Sequence, residues 1–287
     1  MKLLRYGPRG QEKPGLCDKD GNIRDLSKVI VQLDDAMLSP GNLAKLARIR
    51  PDTLPIVKGK PRLGVPYAGI SKFVAVGLNY TDHAQEANMP IPKEPILFTK
   101  ATTSLCGPDD DVVQPKNSTK LDWEVELGIV IGSKAQYVPE SRARHYVAGY
   151  CVVNDLSERD FQLERGSQWD RGKGCDTFGP VGPWLVTTDE ITDPQNLAMW
   201  LDVNGDKRQR GNTRTMVFGC ANLVSYISQF MTLLPGDIIT TGTPPGVGLG
   251  MKPPQYLKVG DTITLGINGL GEQRQRVVAW TPGSGFQ

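Results

Sequence analysis

The sequence lacks the cysteine pattern of a disulfide framework or of a zinc site. Its five cysteines are odd in number and none belongs to a Cys-x-x-Cys pair. It also lacks an apolar run long enough to span a bilayer, and its first residues contain no long apolar core. We therefore expect a cytoplasmic protein that has no membrane partner.

A strong charge imbalance is missing as well. The formal net charge is +2 over 287 residues, and the basic residues are scattered along the chain. Because nucleic acids and acidic membranes are bound by concentrated positive charge, we expect neither as a partner. The hydrophobic fraction of 39% and the charged fraction of 22% fit a globular chain of one or two domains.

Turn signals and composition divide the chain near residue 65. Residues 1–65 contain short strand candidates around an Asp20-Gly21-Asn22 turn, a helix candidate over 42–48 and a terminal segment rich in proline and glycine. This part has no cluster of titratable residues, so we predict a small N-terminal domain that serves packing or dimer contacts. Residues 66–287 carry the motifs described below and are predicted to form the catalytic domain.

An acidic strand candidate covers residues 121–131. Side chains of a strand alternate between two faces, so Asp122, Glu124 and Glu126 share one face while the apolar residues from Trp123 onward share the other. Like charges two residues apart repel, and a hard cation such as Mg²⁺ between Glu124 and Glu126 would explain the pattern. An edge strand with a hydrated acidic face is the alternative. Asp155, at the end of the next apolar run, offers a third carboxylate.

A second candidate is a histidine beside a glutamate. His83 and Glu86 lie three residues apart on a short helix that we predict to begin with Asn79 or Thr81 as its N-cap, so both face the same way. A neighbouring carboxylate raises the basicity of an imidazole and fixes its tautomer, as a general base for water requires. A surface contact between His83 and Glu86 is the simpler alternative. The proline-flanked segment 89–95 is typical of a hinge or lid.

Other polar residues lie at the ends of predicted elements. Lys100 ends a strand and, taken alone, is an ordinary solvated lysine. Arg159, four residues after Asp155, could bind a substrate carboxylate through two hydrogen bonds or could pair with an aspartate to hold a loop. Gln162 follows on the same helical face. Thr243 lies on a glycine- and proline-rich loop whose amides could line a small anionic pocket.

Two further patterns predict local structure without chemistry. Asn204-Gly205 is typical of the tight turn of a hairpin. Apolar residues recur at helical spacing between Cys220 and Leu234, which predicts a helix with a buried face. Its apolar residues are Leu223, Val224, Ile227, Phe230, Met231 and Leu234.

Taken together, the motifs resemble those of the fumarylacetoacetate hydrolase family, in the family's order from about residue 71 to residue 250. The matching elements are Asn79-Tyr-x-x-His83-x-x-Glu86, Phe98-Thr-Lys100, Asp122-Trp-Glu124-x-Glu126-Leu, Asn154-Asp155-x-Ser-x-Arg159-Asp160, Gly172-Lys173-x-x-Asp176-Thr-Phe, Gly182-Pro-Trp and Thr241-Gly-Thr243-Pro-x-Gly246-Val.

The resemblance implies a fold, a cofactor and an assembly. The fold is α+β, with a mixed β-roll catalytic domain and a small N-terminal α/β domain. The implied assembly is a homodimer, and the implied cofactor is Mg²⁺, with Mn²⁺ and Ca²⁺ as alternatives. On the matching positions, Glu124, Glu126 and Asp155 become the metal ligands.

The resemblance also implies roles for the remaining candidates. His83 and Glu86 form a water-activating dyad on a lid, and Lys173 is a catalytic residue beside the ion. The residues implied to surround a small-molecule keto-acid substrate are Lys100, Arg159, Gln162 and Thr243.

The implied activity is hydrolysis of the carbon–carbon bond of a 2,4-diketo acid to pyruvate and a carboxylic acid such as lactate. The sequence as a whole most resembles members of the family that act on 2,4-diketo-3-deoxy-L-rhamnonate or -fuconate. Two alternatives within the family are isomerisation of a 2-hydroxydienoate and decarboxylation of oxaloacetate. A binding module stabilised by a metal, without turnover, is an alternative of another class.

Overall fold

β-Strands joined by turns are the main regular elements of the fold, in a computed structural model that describes residues 1–284. The strands are β1 (Lys2–Tyr6), β2 (Lys13–Cys17), β3 (Ile23–Asp25), β4 (Phe73–Gly77), β5 (Ile96–Thr99), β6 (Leu105–Cys106), β7 (Val112–Gln114), β8 (Leu121–Asp122), β9 (Val125–Ile131), β10 (Val147–Asn154), β11 (Ser157–Glu158), β12 (Gly179–Thr187), β13 (Ala198–Val203), β14 (Asp206–Asn212), β15 (Ile238–Thr240), β16 (Thr262–Ile267) and β17 (Gly271–Ala279).

The helices are few and short. The α-helices are α1 (Pro40–Leu46), α2 (Thr81–Glu86), α3 (Asp170–Lys173) and α4 (Cys220–Ile227). A π-helix covers Asp160–Glu164, and the longest 3-10 helix covers Glu140–Tyr146. Within residues 1–284, no helix has the length and the apolar composition that crossing a membrane requires.

Two large sheets enclose the core. In the described part of the chain, a ten-stranded sheet runs β3-β2-β1-β12-β10-β9-β15-β4-β5 with β6 beside β12, and a five-stranded sheet runs β14-β13-β16-β17-β7. Most neighbours are antiparallel, while β15–β4, β12–β6 and β17–β7 are parallel. Apolar residues of both sheets, such as Ile129, Leu201 and Ile263, meet in one buried cluster. The predicted α+β fold with a mixed β-roll is thereby confirmed.

Strand β9 lies between β10 and β15 in the middle of the large sheet, and both of its faces are buried. Leu127 and Ile129 belong to the cluster between the two sheets, whereas Val130 packs in a second cluster on the other side. Glu126, at its second position, is therefore almost fully buried, and its carboxylate needs partners inside the protein.

Residues 1–65 extend the large sheet. Strand β1 pairs with β12, and Leu3 lies opposite Leu185. Leu3 and Leu16 share their buried cluster with residues of the central strands, such as Val130. Arg62 also donates to Asp110 at 2.6 Å. The division of the chain at residue 65 stays a prediction.

The local predictions differ in outcome. The hairpin is confirmed, since Asn204 and Gly205 both have positive φ between β13 and β14. The helix predicted as far as Leu234 is wrong in its second half: α4 ends at Ile227, and Phe230 and Leu234 are 64% and 40% exposed. Ser228 ends it, because its carbonyl and hydroxyl accept hydrogen bonds from the backbone N–H groups of residues 137 and 138.

Candidate metal centre and active site

The acidic strand is broken at the site. A single strand over residues 121–131 was predicted, but β8 ends at Asp122 and β9 begins at Val125. Side-chain amides replace the missing ladder partners: Asn154 Oδ1 accepts from the Glu124 N–H at 3.2 Å, and Gln209 Oε1 accepts from the Val125 N–H at 2.9 Å. The break therefore leaves no buried N–H unpaired at these two residues.

The three predicted metal ligands converge. Carboxylate oxygens of Glu124, Glu126 and Asp155 lie within 4.8 Å of one another, and all three residues are buried. Asp155 directly follows β10, which pairs with β9 so that Val153 lies opposite Glu126. The Asp155 N–H also donates to the Glu124 carbonyl at 2.9 Å. Adjacent strands thus deliver the third carboxylate, while the binding of an ion by these residues stays a prediction.

Three cationic side chains surround the carboxylates. Lys173 Nζ donates to Glu124 Oε2 at 2.7 Å and to Asp155 Oδ2 at 2.8 Å. Lys100 Nζ donates to Asp155 Oδ1 at 2.6 Å, and an Arg159 nitrogen donates to Glu124 Oε1 at 2.6 Å. Burial raises the pKa of Glu124, but Lys173 and Arg159 outweigh burial and hold it well below its usual value. Glu124 is therefore ionised.

Glu126 is the carboxylate that these cations compensate least. Its Oε2 atom accepts hydrogen bonds from the Thr240 hydroxyl and, at 2.8 Å, from the Gly242 N–H. Burial raises its pKa well above the usual value, and the charges of Asp155 and Glu124 raise it further. A divalent ion would remove this repulsion, and carboxylate oxygens are the donors that Mg²⁺, Mn²⁺ and Ca²⁺ take. The residues present therefore fit a hard divalent cation.

Asp122 belongs to the same acidic segment but has a different task. Its Oδ1 accepts from the Gly248 N–H at 2.6 Å, and its Oδ2 accepts from the Leu249 N–H at 2.9 Å and from Arg159 Nε at 2.8 Å. All of these partners leave Asp122 little capacity for a metal. It anchors the glycine-rich loop, which we define as residues 241–250, and it orients Arg159.

The predicted dyad is formed on α2. His83 Nδ1 lies 3.0 Å from Glu86 Oε2, and Glu86 Oε1 accepts from the Gly246 N–H at 2.8 Å. The predicted N-cap is wrong: Tyr80 occupies that position without a side-chain cap. The Asn79 amide instead binds the backbone of residues 218 and 241, which ties the start of α2 to the glycine-rich loop.

One cavity of about 550 Å³ brings the two groups together. Its wall includes the dyad and six other predicted site residues: Glu124, Glu126, Arg159, Gln162, Lys173 and Thr243. A second cavity of about 480 Å³, between Leu43 and His145, shares no lining residue with the first. The larger cavity is therefore the candidate active site.

Lys100 and Thr243, which were predicted to contact substrate, form hydrogen bonds within the protein. Lys100 lies behind Asp155, and its ammonium also donates to the Leu156 carbonyl at 3.2 Å and to the Lys173 carbonyl. The Thr243 hydroxyl donates to the Val125 carbonyl at 2.9 Å and accepts from Gln209 Nε2 at 2.8 Å. The structure thus gives Lys100 and Thr243 positions that support the site, and their contact with substrate stays a prediction.

The chain belongs to the fumarylacetoacetate hydrolase family, because the family model described as "Fumarylacetoacetate (FAA) hydrolase C-terminal" matches residues 72–278. The fold and the site described above thus define a family of hydrolases and isomerases.

Individual relatives cover nearly the whole chain. A protein of Burkholderia orbicola (strain MC0-3), whose name assigns it provisionally to the hydrolases, is 62% identical over 277 residues, or 96% of this chain and 98% of its own. Maleylpyruvate hydrolase from Sphingobium sp. SYK-6, solved with manganese(II) and pyruvate, has a TM-score of 0.81 at 29% identity, covering 98% of this chain and 100% of its own. The 5-carboxymethyl-2-hydroxymuconate delta-isomerase of Mycobacterium smegmatis has a TM-score of 0.76 at 32% identity, with the same coverage.

Proposed function

We propose that this protein is a metal-dependent hydrolase that cleaves the carbon–carbon bond of a 2,4-diketo acid of the acylpyruvate type. One observation carries the proposal: the His83–Glu86 pair and the carboxylates of Glu124 and Glu126 line the same cavity. A base for water and a site for a divalent cation are the two groups that such a hydrolysis needs. The maleylpyruvate hydrolase with bound manganese and pyruvate supports it by similarity.

The 2-oxo acid end of the substrate would meet the charged side of the cavity. A divalent ion held by Glu124, Glu126 and Asp155 would supply Lewis acidity to the 2-oxo carboxylate. Arg159 adds positive charge there, and Gln162, whose oxygen accepts from Arg159 at 3.0 Å, can offer its amide nitrogen as a donor. With its 2-oxo carboxylate held in this way, the substrate would point its distal carbonyl toward the dyad.

His83 is the residue that removes a proton from water. Its Nδ1 atom faces Glu86, so Nε2 is the ring nitrogen that accepts the proton. Glu86 holds the tautomer and stabilises the imidazolium, and the Gly246 N–H in turn holds Glu86. The hydroxide adds to the distal carbonyl of the substrate, which creates a tetrahedral oxyanion.

Collapse of the oxyanion breaks the bond between carbons 3 and 4. The bond electrons become the enolate of pyruvate, and the acyl part leaves as a carboxylic acid. The proton that His83 took from water then passes to carbon 3, which completes pyruvate and regenerates the neutral imidazole. Burial lowers the pKa of Lys173, but Asp155 and Glu124 more than reverse this, so Lys173 remains an ammonium. Its charge, next to the carboxylates, stabilises the enolate.

The alternatives within the family differ in their products. Isomerisation of a 2-hydroxydienoate, supported by similarity to the delta-isomerase, moves a proton and releases no pyruvate. Decarboxylation of oxaloacetate releases carbon dioxide without consuming water. The position of His83 beside Glu86 in the cavity favours water chemistry over both.

Three narrower expectations stay predictions. They are the assignment to 2,4-diketo-3-deoxy sugar acids, the cytoplasmic location and the homodimer, which light scattering would test.

The test is release of pyruvate from a 2,4-diketo acid. We expect turnover with Mg²⁺ or Mn²⁺, loss of turnover with EDTA and recovery when the ion is added back. His83→Ala should lower kcat by about 10²–10⁴ while Mn²⁺ still binds. The chain has two histidines, so His145→Ala is a matched control that should retain full activity. Full activity of His83→Ala would exclude the dyad, and indifference to EDTA would exclude the metal.

A further inference from the structure

The cavity has a charged side and an apolar side. Among the described residues, the charged part of the lining consists of the dyad, the carboxylate cluster with its cationic partners, and Lys252. The remaining wall is built mainly from apolar side chains. Prominent among them are Leu78, Met89, Ile96, Leu163, Leu249 and Met251.

An aromatic pair connects the two sides. The Lys173 ammonium lies 5.1 Å from the centre of the Phe98 ring, and the Phe98 ring lies 5.4 Å from the Trp169 ring in an edge-to-face arrangement. Gly77 makes room for Trp169, because a Cβ atom at Gly77 would lie 2.5 Å from the indole. The apolar wall therefore begins next to the charged cluster, and Phe98 and Trp169 both belong to it.

Part of this apolar wall is open to water. Met89, Leu163 and Leu249 are 52%, 43% and 38% exposed. A hydrocarbon group seated there would remove apolar surface from water, which is favourable. Hydroxyl groups seated against these side chains would lose part of their water and would face few polar partners, which is costly.

From this arrangement we infer that the acyl end of the substrate, beyond its 2,4-dioxo group, is an alkyl or aryl group and not a polyhydroxylated or charged one. The inference rests on the proposed function and deepens it. It ranks the sugar acids predicted from the resemblance below acylpyruvates with longer hydrocarbon chains. Lys252 is an exposed residue among this apolar lining, so a terminal carboxylate is the rival that the test must include.

The test compares acetyl-, butanoyl- and hexanoylpyruvate with analogues of hexanoylpyruvate that carry hydroxyl groups or a terminal carboxylate. We expect kcat/KM to rise by up to about fourfold per methylene until the cavity is filled. The hydroxylated and carboxylated analogues should be poorer than the parent. Equal rates for acetyl- and hexanoylpyruvate, or a better hydroxylated or carboxylated analogue, would overturn the inference.

Variants locate the effect. Met89→Gln should lower kcat/KM for hexanoylpyruvate by about fourfold and lower it less for acetylpyruvate, whose methyl group buries less apolar surface. Val259→Gln, an equally exposed apolar position outside the cavity, is the matched control and should change neither. The rival is that Lys252 binds a terminal carboxylate. It would be established if the carboxylated analogue had a higher kcat/KM than hexanoylpyruvate and lost this advantage in Lys252→Met.

Binding separates this inference from the proposed function. The manganese-loaded protein is titrated with 2-oxo acids of increasing chain length, from pyruvate to 2-oxooctanoate, which it cannot hydrolyse. Affinity that rises with length, without cleavage of any diketo acid, would support the apolar subsite and refute the hydrolase. Cleavage with affinity independent of length would support the hydrolase and refute the subsite. Absence of both effects would refute both.

Discussion

The side-chain oxygen of Asn154 accepts a hydrogen bond from the backbone N–H of Glu124 at 3.2 Å. This contact lies at the break between β8 and β9, where Glu124 leaves the strand ladder and enters the site. Asn154 is itself fixed, because its amide nitrogen donates to Gln275 Oε1 at 3.1 Å. Asn154 is therefore a positioning residue for a predicted metal ligand.

Asn154→Ala should weaken metal binding more than it unfolds the protein. The dissociation constant for Mn²⁺ should rise about 10- to 100-fold, as for other residues that orient a ligand. The free energy of unfolding should fall by about 1–3 kcal/mol, because a buried N–H loses its partner. Calorimetric titration and urea unfolding measure the two. Asn196→Ala removes an exposed hydrogen bond and should leave both unchanged; unaltered Mn²⁺ affinity of Asn154→Ala would refute the positioning role.

Glu126→Gln should separate metal binding from stability. The glutamine oxygen can still accept from the Thr240 hydroxyl and the Gly242 N–H, while the repulsion from Glu124 and Asp155 disappears. We expect the metal-free variant to be at least as stable as the parent in urea unfolding, and its Mn²⁺ affinity to fall at least about tenfold.

A buried glutamate outside the triad gives the control for this experiment. Glu158 accepts from the Lys120 N–H at 2.9 Å and from the Ser118 hydroxyl. Glu158→Gln should lower the free energy of unfolding by about 1–3 kcal/mol and leave the Mn²⁺ affinity unchanged. A metal-free Glu126→Gln protein that is clearly less stable than the parent would contradict our account of the repulsion.

Gly250→Ala should disturb the dyad without disturbing the fold. An added Cβ atom would lie 2.8 Å from Glu86 Cδ, and the carboxylate is the flexible end of its side chain, so it can move away. The displaced carboxylate no longer fixes His83, and kcat should fall about tenfold or more with Mn²⁺ affinity retained.

A glycine in open space and a second variant complete this test. Gly41→Ala adds a Cβ that meets no atom within 4 Å and should not affect turnover. Because both changes act on Glu86, Gly250→Ala combined with Glu86→Gln should be little worse than Glu86→Gln alone. Fully additive losses of kcat would show that Gly250 acts elsewhere.

Removal of residues 1–65 should prevent stable folding of the remainder. The deletion takes β1 from the edge of β12 and takes Leu3 and Leu16 from a buried cluster that also contains Val130. The exposed strand edge and apolar surface favour aggregation. Expression of residues 66–287 followed by size-exclusion chromatography and circular dichroism tests this. A monodisperse fragment with a cooperative thermal transition would support two independent domains.

Much of the fold follows from local patterns. The apolar residues of β16, Ile263, Leu265 and Ile267, alternate with other residues as in a strand with one buried face, and turn residues flank them. The hairpin turn at Asn204-Gly205 is equally local. The end of α4 is different: residues 137 and 138 recruit Ser228 from far away in the chain, and no helical periodicity contains that information.

The site also combines features that the sequence predicts with features that depend on contacts between distant segments. The spacing of Glu124 from Glu126 and of His83 from Glu86 is visible in the sequence, since it depends only on strand and helix geometry. Their supports come from distant segments: Gln209 binds the Val125 N–H, and the Gly246 N–H binds Glu86 across 160 residues. A glutamine in a strand rich in charged residues gave no sign of being buried, and a lysine such as Lys100 was indistinguishable from a solvated one.

The glycine-rich loop makes the chemistry and the choice of substrate separable. Its N–H groups at Gly242, Gly246 and Gly248 grip Glu126, Glu86 and Asp122 at once. A change in this segment would therefore alter the predicted metal ligand, the carboxylate beside the predicted base and the anchor of the loop together, and we expect it to lower turnover. Apolar side chains that line the cavity from other segments, such as Met89 and Leu163, hold none of these three carboxylates, so substitutions there can change the preferred acid and leave the loop intact.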